Sequence, residues 1–224
     1  MNALMEYLEK YALTSLEKQE KLARLIEGQL AVDLDLDAGR LRFSEGIEFR
    51  FQVLGTESDN TLNWLWAWAD EQEDLKSDLL TSSLQMKEWG AKAGIPEFTV
   101  PSVDLEKADG HILSLIASEV CAASCYYQDA YDGGASFLLL FGGELERQPG
   151  FDVAGLSRQF SNLIALYELN HRNTFVSYLR AKGLPFTEQG SIIKCELESA
   201  EQMSAEFGPN GVLKSINGRS LPLD

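Results

Sequence analysis

The sequence predicts an α+β fold: a curved antiparallel β-meander covered by helices, followed by a C-terminal pair of helices and a second, small meander. Two patterns carry this prediction. Hydrophobic residues recur every three or four positions in some segments, as in amphipathic helices, and every second position in others, as in half-buried strands. The strand-like segments are joined by short turns, which favours antiparallel pairing. The 224 residues, 45% of them hydrophobic, are enough for a sizeable core.

The first part of the chain, residues 1–145, is expected to form the sheet-and-helix body. Periodicity, together with glycine and proline at the breaks, predicts its elements. The helices are expected over 3–27, 73–93 and 110–124, and the strands over 30–37, 40–43, 47–53, 61–69, 126–131 and 135–141.

The aspartates of the stretch DLDLDAG, residues 33–39, are interpreted as the polar face of a hairpin. A two-residue turn at Ala38-Gly39 would set three cross-strand pairs: Asp37 with Arg40, Asp35 with Arg42, and Leu34 with Phe43. Because one register satisfies both faces of the strand, we favour this hairpin.

Metal binding is the alternative for these aspartates. As an EF-hand loop counted from Asp33, the segment has Ala38 at the position that needs glycine and Ser44 at the position that needs glutamate. Cys121 and Cys125 stand four residues apart, wider than the usual zinc pair. We therefore expect no bound metal and no cofactor.

The stretch TLNWLWAWAD, residues 61–70, places a tryptophan at every second position. As a strand it would carry Trp64, Trp66 and Trp68 on one face and small residues on the other, which would lie under a helix. A buried core is the favoured interpretation, because an open stripe of three indoles would be a large apolar patch. A ligand platform is the alternative, with Trp66, Trp68 and Tyr127 as the candidate binding residues.

The last part of the chain, residues 146–224, is expected to be a helix pair followed by short antiparallel strands. The helices are expected over 153–168 and 172–182, and the strands over 192–198, 201–207 and 212–216. Only a short joint at 148–150 precedes this part, so residues 1–224 are expected to form a single compact unit.

Net charge limits the possible partners. The formal charge of −16 repels phosphate backbones, which argues against nucleic-acid binding, and it would suit a basic protein partner. No apolar run approaches the ~18 residues of a membrane span, and the first residues lack the pattern of a signal peptide. The expected location is the cytoplasm, with no membrane partner.

The stretch LGTESDNTLNWLWAWADEQ resembles a family of uncharacterised bacterial proteins known only as a domain of unknown function. The likeness covers roughly residues 30–142, and its specific part is the W-x-W-A-W-A strand. The matching positions are Gly55-Thr56, Ser58, 64–69, Trp89-Gly90, Gly94-Ile95, 117–123 and Tyr126-Tyr127. Asp70 stands where the family usually has asparagine. The resemblance implies no activity, cofactor or catalytic residue.

Three hypotheses for function follow from the absence of known catalytic motifs. The first is a non-catalytic module that binds a small molecule or a partner, and an apolar pocket beside the tryptophans would favour it. The second is an acidic interaction protein, such as a toxin neutraliser, which a flat acidic patch would favour. The third is an enzyme of unrecognised type, which a buried carboxylate beside His111 or His171 would favour; both histidines are otherwise interpreted as surface or capping residues.

Overall fold

The computed structural model describes residues 3–70, 75–197 and 201–220. Over these residues the fold is α+β, with five α-helices and two antiparallel sheets of seven and four strands. The chain divides into two compact units, which we call the body unit (Lys18–Gln148) and the C-terminal unit (Met1–Glu17 with Pro149–Asp224). That residues 1–224 behave as a single unit stays a prediction.

The body unit contains the seven-stranded sheet. Its strands are β1 (Ala31–Asp35), β2 (Arg40–Phe43), β3 (Glu48–Ser58), β4 (Asn63–Trp66), β5 (Ser102–Asp104), β6 (Cys125–Tyr131) and β7 (Gly134–Phe141). Strands β1 to β5 follow in order, and β7 pairs with both β3 and β6. The helices are α2 (Thr81–Ala93) and α3 (Gly110–Val120), and α1 (Ala3–Leu25) contributes its C-terminal part. The three-residue β5 has too short a pattern to be predicted from the sequence.

Both faces of β7 are largely buried, whereas β3 keeps the exposed Arg50 on one of its faces. On one face, Phe51 and Leu138 belong to a buried cluster that includes Leu22 of α1. On the other face, the side-chain oxygen Oε1 of Gln52 accepts a hydrogen bond from the backbone N–H of Ser82 in α2, 2.8 Å away. A strand buried on both faces reads as a continuous apolar run, which is why FLLLF stands out in the sequence.

The β1–β2 register predicted from the sequence is wrong by two residues. The observed pairs are Asp35 with Arg40, Leu34 with Leu41, and Asp33 with Arg42. The turn spans four residues, 36–39, and ends at Gly39, whose φ of +63° is left-handed. A shift of two leaves Asp33, Leu34 and Asp35 on their predicted faces, whereas an irregularity between Ala31 and Asp33 sets Ala31 opposite the buried Phe43. Asp37 lies in the turn instead, and its Oδ1 forms an ion pair with Lys76 Nζ at 2.9 Å.

The tryptophan strand ends earlier than predicted. β4 stops at Trp66, and Ala67–Ala69 form a 3-10 helix, so Trp68 does not share the face of Trp64 and Trp66. The ladder between β3 and β4 ends at the pair Gly55–Trp66, next to an irregularity in β3 between Val53 and Gly55. Directly after that pair the chain leaves the sheet and forms the 3-10 helix.

The C-terminal unit confirms the predicted helix pair and small meander. Its elements are α4 (Val153–Leu166), α5 (His171–Ala181), β8 (Phe186–Gln189), β9 (Ile192–Glu196), β10 (Glu201–Phe207) and β11 (Leu213–Ser220), and the strand order is β11-β10-β9-β8. One sheet face packs on the helices: the rings of Phe207 and Phe175 lie 5.9 Å apart. A Cβ on Gly218 would lie 2.0 Å from Val153 of α4, so only glycine allows this close approach.

Candidate functional site

Trp64 and Trp66 are core residues. Both side chains are fully buried, and their ring centroids lie 5.3 Å apart with the planes nearly perpendicular. Trp66 also packs on Phe98 at 5.4 Å, and its Nε1 donates a hydrogen bond to the backbone oxygen of Glu97 at 2.9 Å. The partner of the indole N–H is therefore a main-chain carbonyl inside the protein.

Trp68 lies in the 3-10 helix and is only partly buried. Lys87 Nζ of α2 stands 3.7 Å from the centroid of its ring. In this cation–π contact the lysine ammonium lies against a face of the indole, where a ligand platform would bind the cation of its ligand. The Nε1 of Trp68 is buried and has no hydrogen-bond partner among the described residues.

Tyr127 lies on the other face of the body sheet from Trp66. The two faces can be compared at β7. Tyr127 is opposite Leu138 of β7, so the two share one face. Trp66 is opposite Gly55 of β3, and Gly55 is opposite Phe137 of β7, so Trp66 lies on the face of Phe137. Consecutive residues of β7 point to opposite faces, so the three candidate binding residues are not brought together. The Tyr127 ring packs edge-on against Phe43 at 5.8 Å, and burial, reinforced by the charge of Asp129, raises the pKa of its phenol.

Three cavities lie in the C-terminal unit, with volumes of about 700, 480 and 640 Å³. None of these three is lined by Trp66, Trp68 or Tyr127.

The two histidines are held by uncharged groups. His111, in the first turn of α3, has its Nδ1 2.9 Å from the hydroxyl oxygen of Tyr126. His171 Nδ1 accepts the backbone N–H of Leu213 at 2.9 Å, and burial lowers the pKa of this imidazole. Both effects favour a neutral His171 near pH 7, as in a capping residue.

Two buried carboxylates of α1 serve as anchors in the C-terminal unit. Glu17 is 3% exposed and accepts hydrogen bonds from the Tyr178 hydroxyl at 2.5 Å and from Lys182 Nζ at 2.8 Å. Glu9 is 4% exposed and accepts the backbone N–H of Asn170 at 2.7 Å. A buried carboxylate is tolerated when such donors satisfy it, so these contacts account for Glu9 and Glu17 structurally.

Acidic side chains gather at one end of the body sheet, which we call the acidic end. Cross-strand pairing brings the ends of five strands together here. Ser58 of β3 is opposite both Asn63 of β4 and Gly134 of β7. Asn63 is in turn opposite Asp104 of β5, and Gly134 is opposite Tyr131 of β6. The carboxylates of these strand ends, the adjoining turns and the start of α3 are Glu57, Asp59, Asp104, Glu106, Asp109, Asp129 and Asp132.

The carboxylates of the acidic end are less fully neutralised than acidic side chains elsewhere in the body unit, although the exposed Lys107 lies between Glu106 and Asp109. Near β1 and β2, Arg42 pairs with Asp33 at 2.9 Å and with Glu48 at 2.6 Å, and the Arg42 hydrogen bond lowers the pKa of Glu48. Among the described residues, by contrast, none of the seven carboxylates of the acidic end forms an ion pair. Two of them bond to main-chain N–H groups at the start of α3: Asp109 to Ile112 at 2.7 Å, and Glu57 to Gly110.

Two large apolar side chains project from the acidic end. Leu62 is 58% exposed and Tyr131 is 51% exposed. Leu62 has a φ of 51°, a left-handed conformation that is unfavourable for a residue with a branched side chain. Sequence reasoning missed this surface, because turn residues such as Leu62 and Asp132 follow no period of two or 3.6.

These features define an α+β protein with a buried tryptophan pair in its body unit and an acidic end whose carboxylates form no ion pair among the described residues. The chain belongs to the family of unknown function DUF6882, whose model matches residues 6–143. This confirms the resemblance carried by the tryptophan strand, and it extends the match into α1. No curated protein and no solved structure matches the chain. No helix among the described residues has the length and apolar character needed to cross a membrane.

Proposed function

We propose that this chain is a non-catalytic partner-binding module whose acidic end docks on a basic protein. The observation that carries the proposal is the group of seven carboxylates that form no ion pair within the described part of the chain, together with the exposed Leu62 and Tyr131 at the same end of the sheet. A cluster of acidic side chains supports an interaction protein, and the buried Trp64–Trp66 pair gives no comparable support to a small-molecule platform.

Charge is distributed unevenly along the chain. The body unit, residues 18–148, carries 24 Asp and Glu against 11 Lys and Arg, a net charge of −13 out of −16 for the whole chain. Like charges that are close together repel, so the acidic end opposes its own folding. Lysines and arginines of a partner would remove that repulsion and would speed the encounter.

The exposed apolar side chains supply the second element of an interface. Interfaces draw their binding energy from a few anchors that become desolvated at the centre of a polar rim. Leu62 and Tyr131 have this arrangement, with carboxylates such as Asp59, Asp104 and Asp132 as the rim. The partner would be a basic protein with an apolar patch inside its basic surface; a basic toxin is one class with this chemistry. The cytoplasm is the proposed location, supported by the buried free thiols of Cys125 and Cys195.

The test compares two variants with the same change in net charge. The first removes three carboxylates from the acidic end: Asp59→Asn, Asp104→Asn and Asp129→Asn. The matched control removes three exposed carboxylates elsewhere in the body unit: Glu45→Gln, Asp78→Asn and Glu88→Gln. The probe is a fluorescent peptide of alternating lysine and leucine residues, and binding is followed by anisotropy at low and physiological salt.

The first variant is expected to bind the peptide about tenfold more weakly, since three exposed charge pairs contribute roughly 0.2–1 kcal/mol each. The control is expected to lose less than about twofold. Equal losses in both variants would mean that only net charge matters and would overturn the proposed surface. Unchanged binding in the first variant would overturn it as well.

A further inference from the structure

We infer a second binding site, for a dipeptide-sized zwitterion, in the groove across the open face of the C-terminal sheet. The groove encloses about 700 Å³, within the ~300–1,000 Å³ range of small-molecule sites. It lies in β8–β11, which the family match at residues 6–143 does not reach. The inference is therefore independent of the proposed function of the acidic end.

The side chains that project into the groove follow from the strand register. Thr187, Lys194, Ser204 and Asn217 are opposite one another across all four strands, and they form one row on the open face. Glu196 and Gln202 form the next row on the same face, and Gln202 is opposite Arg219 of β11. Between these rows, Cys195 (6% exposed) and Met203 (2% exposed) point the other way, so they contribute backbone to the floor of the groove.

Two of the residues that line the groove carry opposite charges. Lys194 and Glu196 are both exposed, are two residues apart on β9, and have no ion-pair partner among the described residues. Their Cα atoms are about 6.6 Å apart, since a strand rises ~3.3 Å per residue. Two residues of extended peptide span about 7 Å, so the carboxylate and ammonium of a dipeptide lying along β9 are within reach of the flexible side chains of Lys194 and Glu196.

The polar side chains across the groove suit the remaining groups of such a ligand. A dipeptide bound with its carboxylate at Lys194 and its ammonium at Glu196 leaves a peptide N–H and C=O between them. Ser204 on the neighbouring strand β10 and Asn217 on β11 offer a hydroxyl and an amide, which can both donate and accept hydrogen bonds. In this arrangement Lys194 and Glu196 bind the two charged ends of the ligand, and Ser204 and Asn217 form hydrogen bonds with the peptide group between them.

The experiment titrates the full-length, isotopically labelled protein with Ala-Ala dipeptide and follows the backbone amide signals by NMR. Saturable shifts in β9 and β10 are expected. Lys194→Gln and Glu196→Gln should each weaken binding about tenfold, the effect of losing one hydrogen bond to a charged group. Lys214→Gln is the control, because Lys214 already pairs with Glu206 at 3.3 Å and lies outside this groove.

A second probe separates the site from general stickiness. The dipeptide with an acetylated amine and an amidated carboxyl has the same peptide group and no charges, so it should not bind. Equal binding of the blocked dipeptide would overturn the inference, as would equal weakening by Lys214→Gln. An absence of saturable shifts in the wild-type protein would also overturn it, and none of these outcomes bears on the acidic end.

Discussion

Replacement of Trp66 by alanine tests whether the tryptophan pair is core or platform. The indole is fully buried, contacts Trp64 and Phe98, and donates to the Glu97 carbonyl. A buried Trp removes up to ~250 Å² from water at ~25 cal/mol per Å², and measured Trp→Ala changes cost roughly 3–5 kcal/mol. The Glu97 carbonyl also loses its donor, at ~1–3 kcal/mol. We expect Trp66→Ala to lower the free energy of unfolding by about 4 kcal/mol or more.

Trp68→Ala is the matched control, because the same residue type lies two positions away at a partly exposed site. It loses mainly the contact with Lys87, so we expect a cost of about 1–2 kcal/mol. Urea unfolding followed by far-UV circular dichroism measures both values. A cost below about 1 kcal/mol for Trp66→Ala, or equal costs for the two variants, would refute the argument from burial and hydrogen bonding.

Three further predictions concern the whole chain. Calcium should not raise the melting temperature, because Asp35 accepts a backbone hydrogen bond from Ala38 at 2.8 Å and Asp37 pairs with Lys76; a shift of several degrees would contradict this. A calorimetric scan should show one thermal transition if residues 1–224 unfold as a unit, and two would contradict the prediction of a single unit. Burial raises the pKa of the Cys125 thiol to about 12 from 9.0, so its protonated form is favoured on folding. The stability it contributes should be complete below pH 9.0 and decline as pH rises towards 12, as measured by urea unfolding in a Cys125→Ala comparison.

Most helices and strands could be predicted from the sequence because their hydrophobic residues recur at the period of the element, with one face exposed to solvent and the other buried. The faces of Asp33, Leu34 and Asp35 were correct even though the register was wrong by two, since alternation fixes faces and does not fix turn length; Ala31 is the exception, because an irregularity in β1 sets it opposite Phe43. Trp68 shows the limit of the same rule. Its spacing fits a strand, but the β3–β4 ladder ends at the pair Gly55–Trp66, and the length of that ladder depends on residues distant in sequence.

The acidic end could not be predicted, because its carboxylates come from separate segments of the chain. Asp59, Asp104 and Asp132 are far apart in sequence, and only the pairing of β3 with β4 and β7, and of β4 with β5, brings their segments together. Net charge indicated a basic partner, but it held no information on where the charge would be left unpaired. The placement of Tyr127 away from Trp66 has the same origin, since both are aromatic strand residues and only the order of strands separates their faces.

The backbone of Leu62 gives a test in which stability and binding should change in opposite directions. A left-handed conformation costs a non-glycine residue roughly 1–2 kcal/mol, while glycine adds ~0.5–1 kcal/mol of unfolded-state entropy. Glycine keeps both main-chain hydrogen bonds, from Leu62 N to Ser58 at 2.9 Å and from Leu105 to Leu62 O at 3.0 Å. Because the side chain is 58% exposed, we expect Leu62→Gly to raise the free energy of unfolding by about 0.5 kcal/mol and to weaken binding of the lysine–leucine peptide.

Ala122→Gly provides the control for Leu62→Gly, because Ala122 has a similar φ of 50° and lies just past the C-terminal end of α3, whereas the acidic end adjoins the start of that helix. It should gain stability in the same way and leave peptide binding unchanged. Urea unfolding and peptide anisotropy on both variants give the four values needed. If Leu62→Gly is stabilised and binds the peptide as well as Ala122→Gly does, the leucine is not an anchor. If Leu62→Gly is instead destabilised, the backbone strain inferred from its φ is absent.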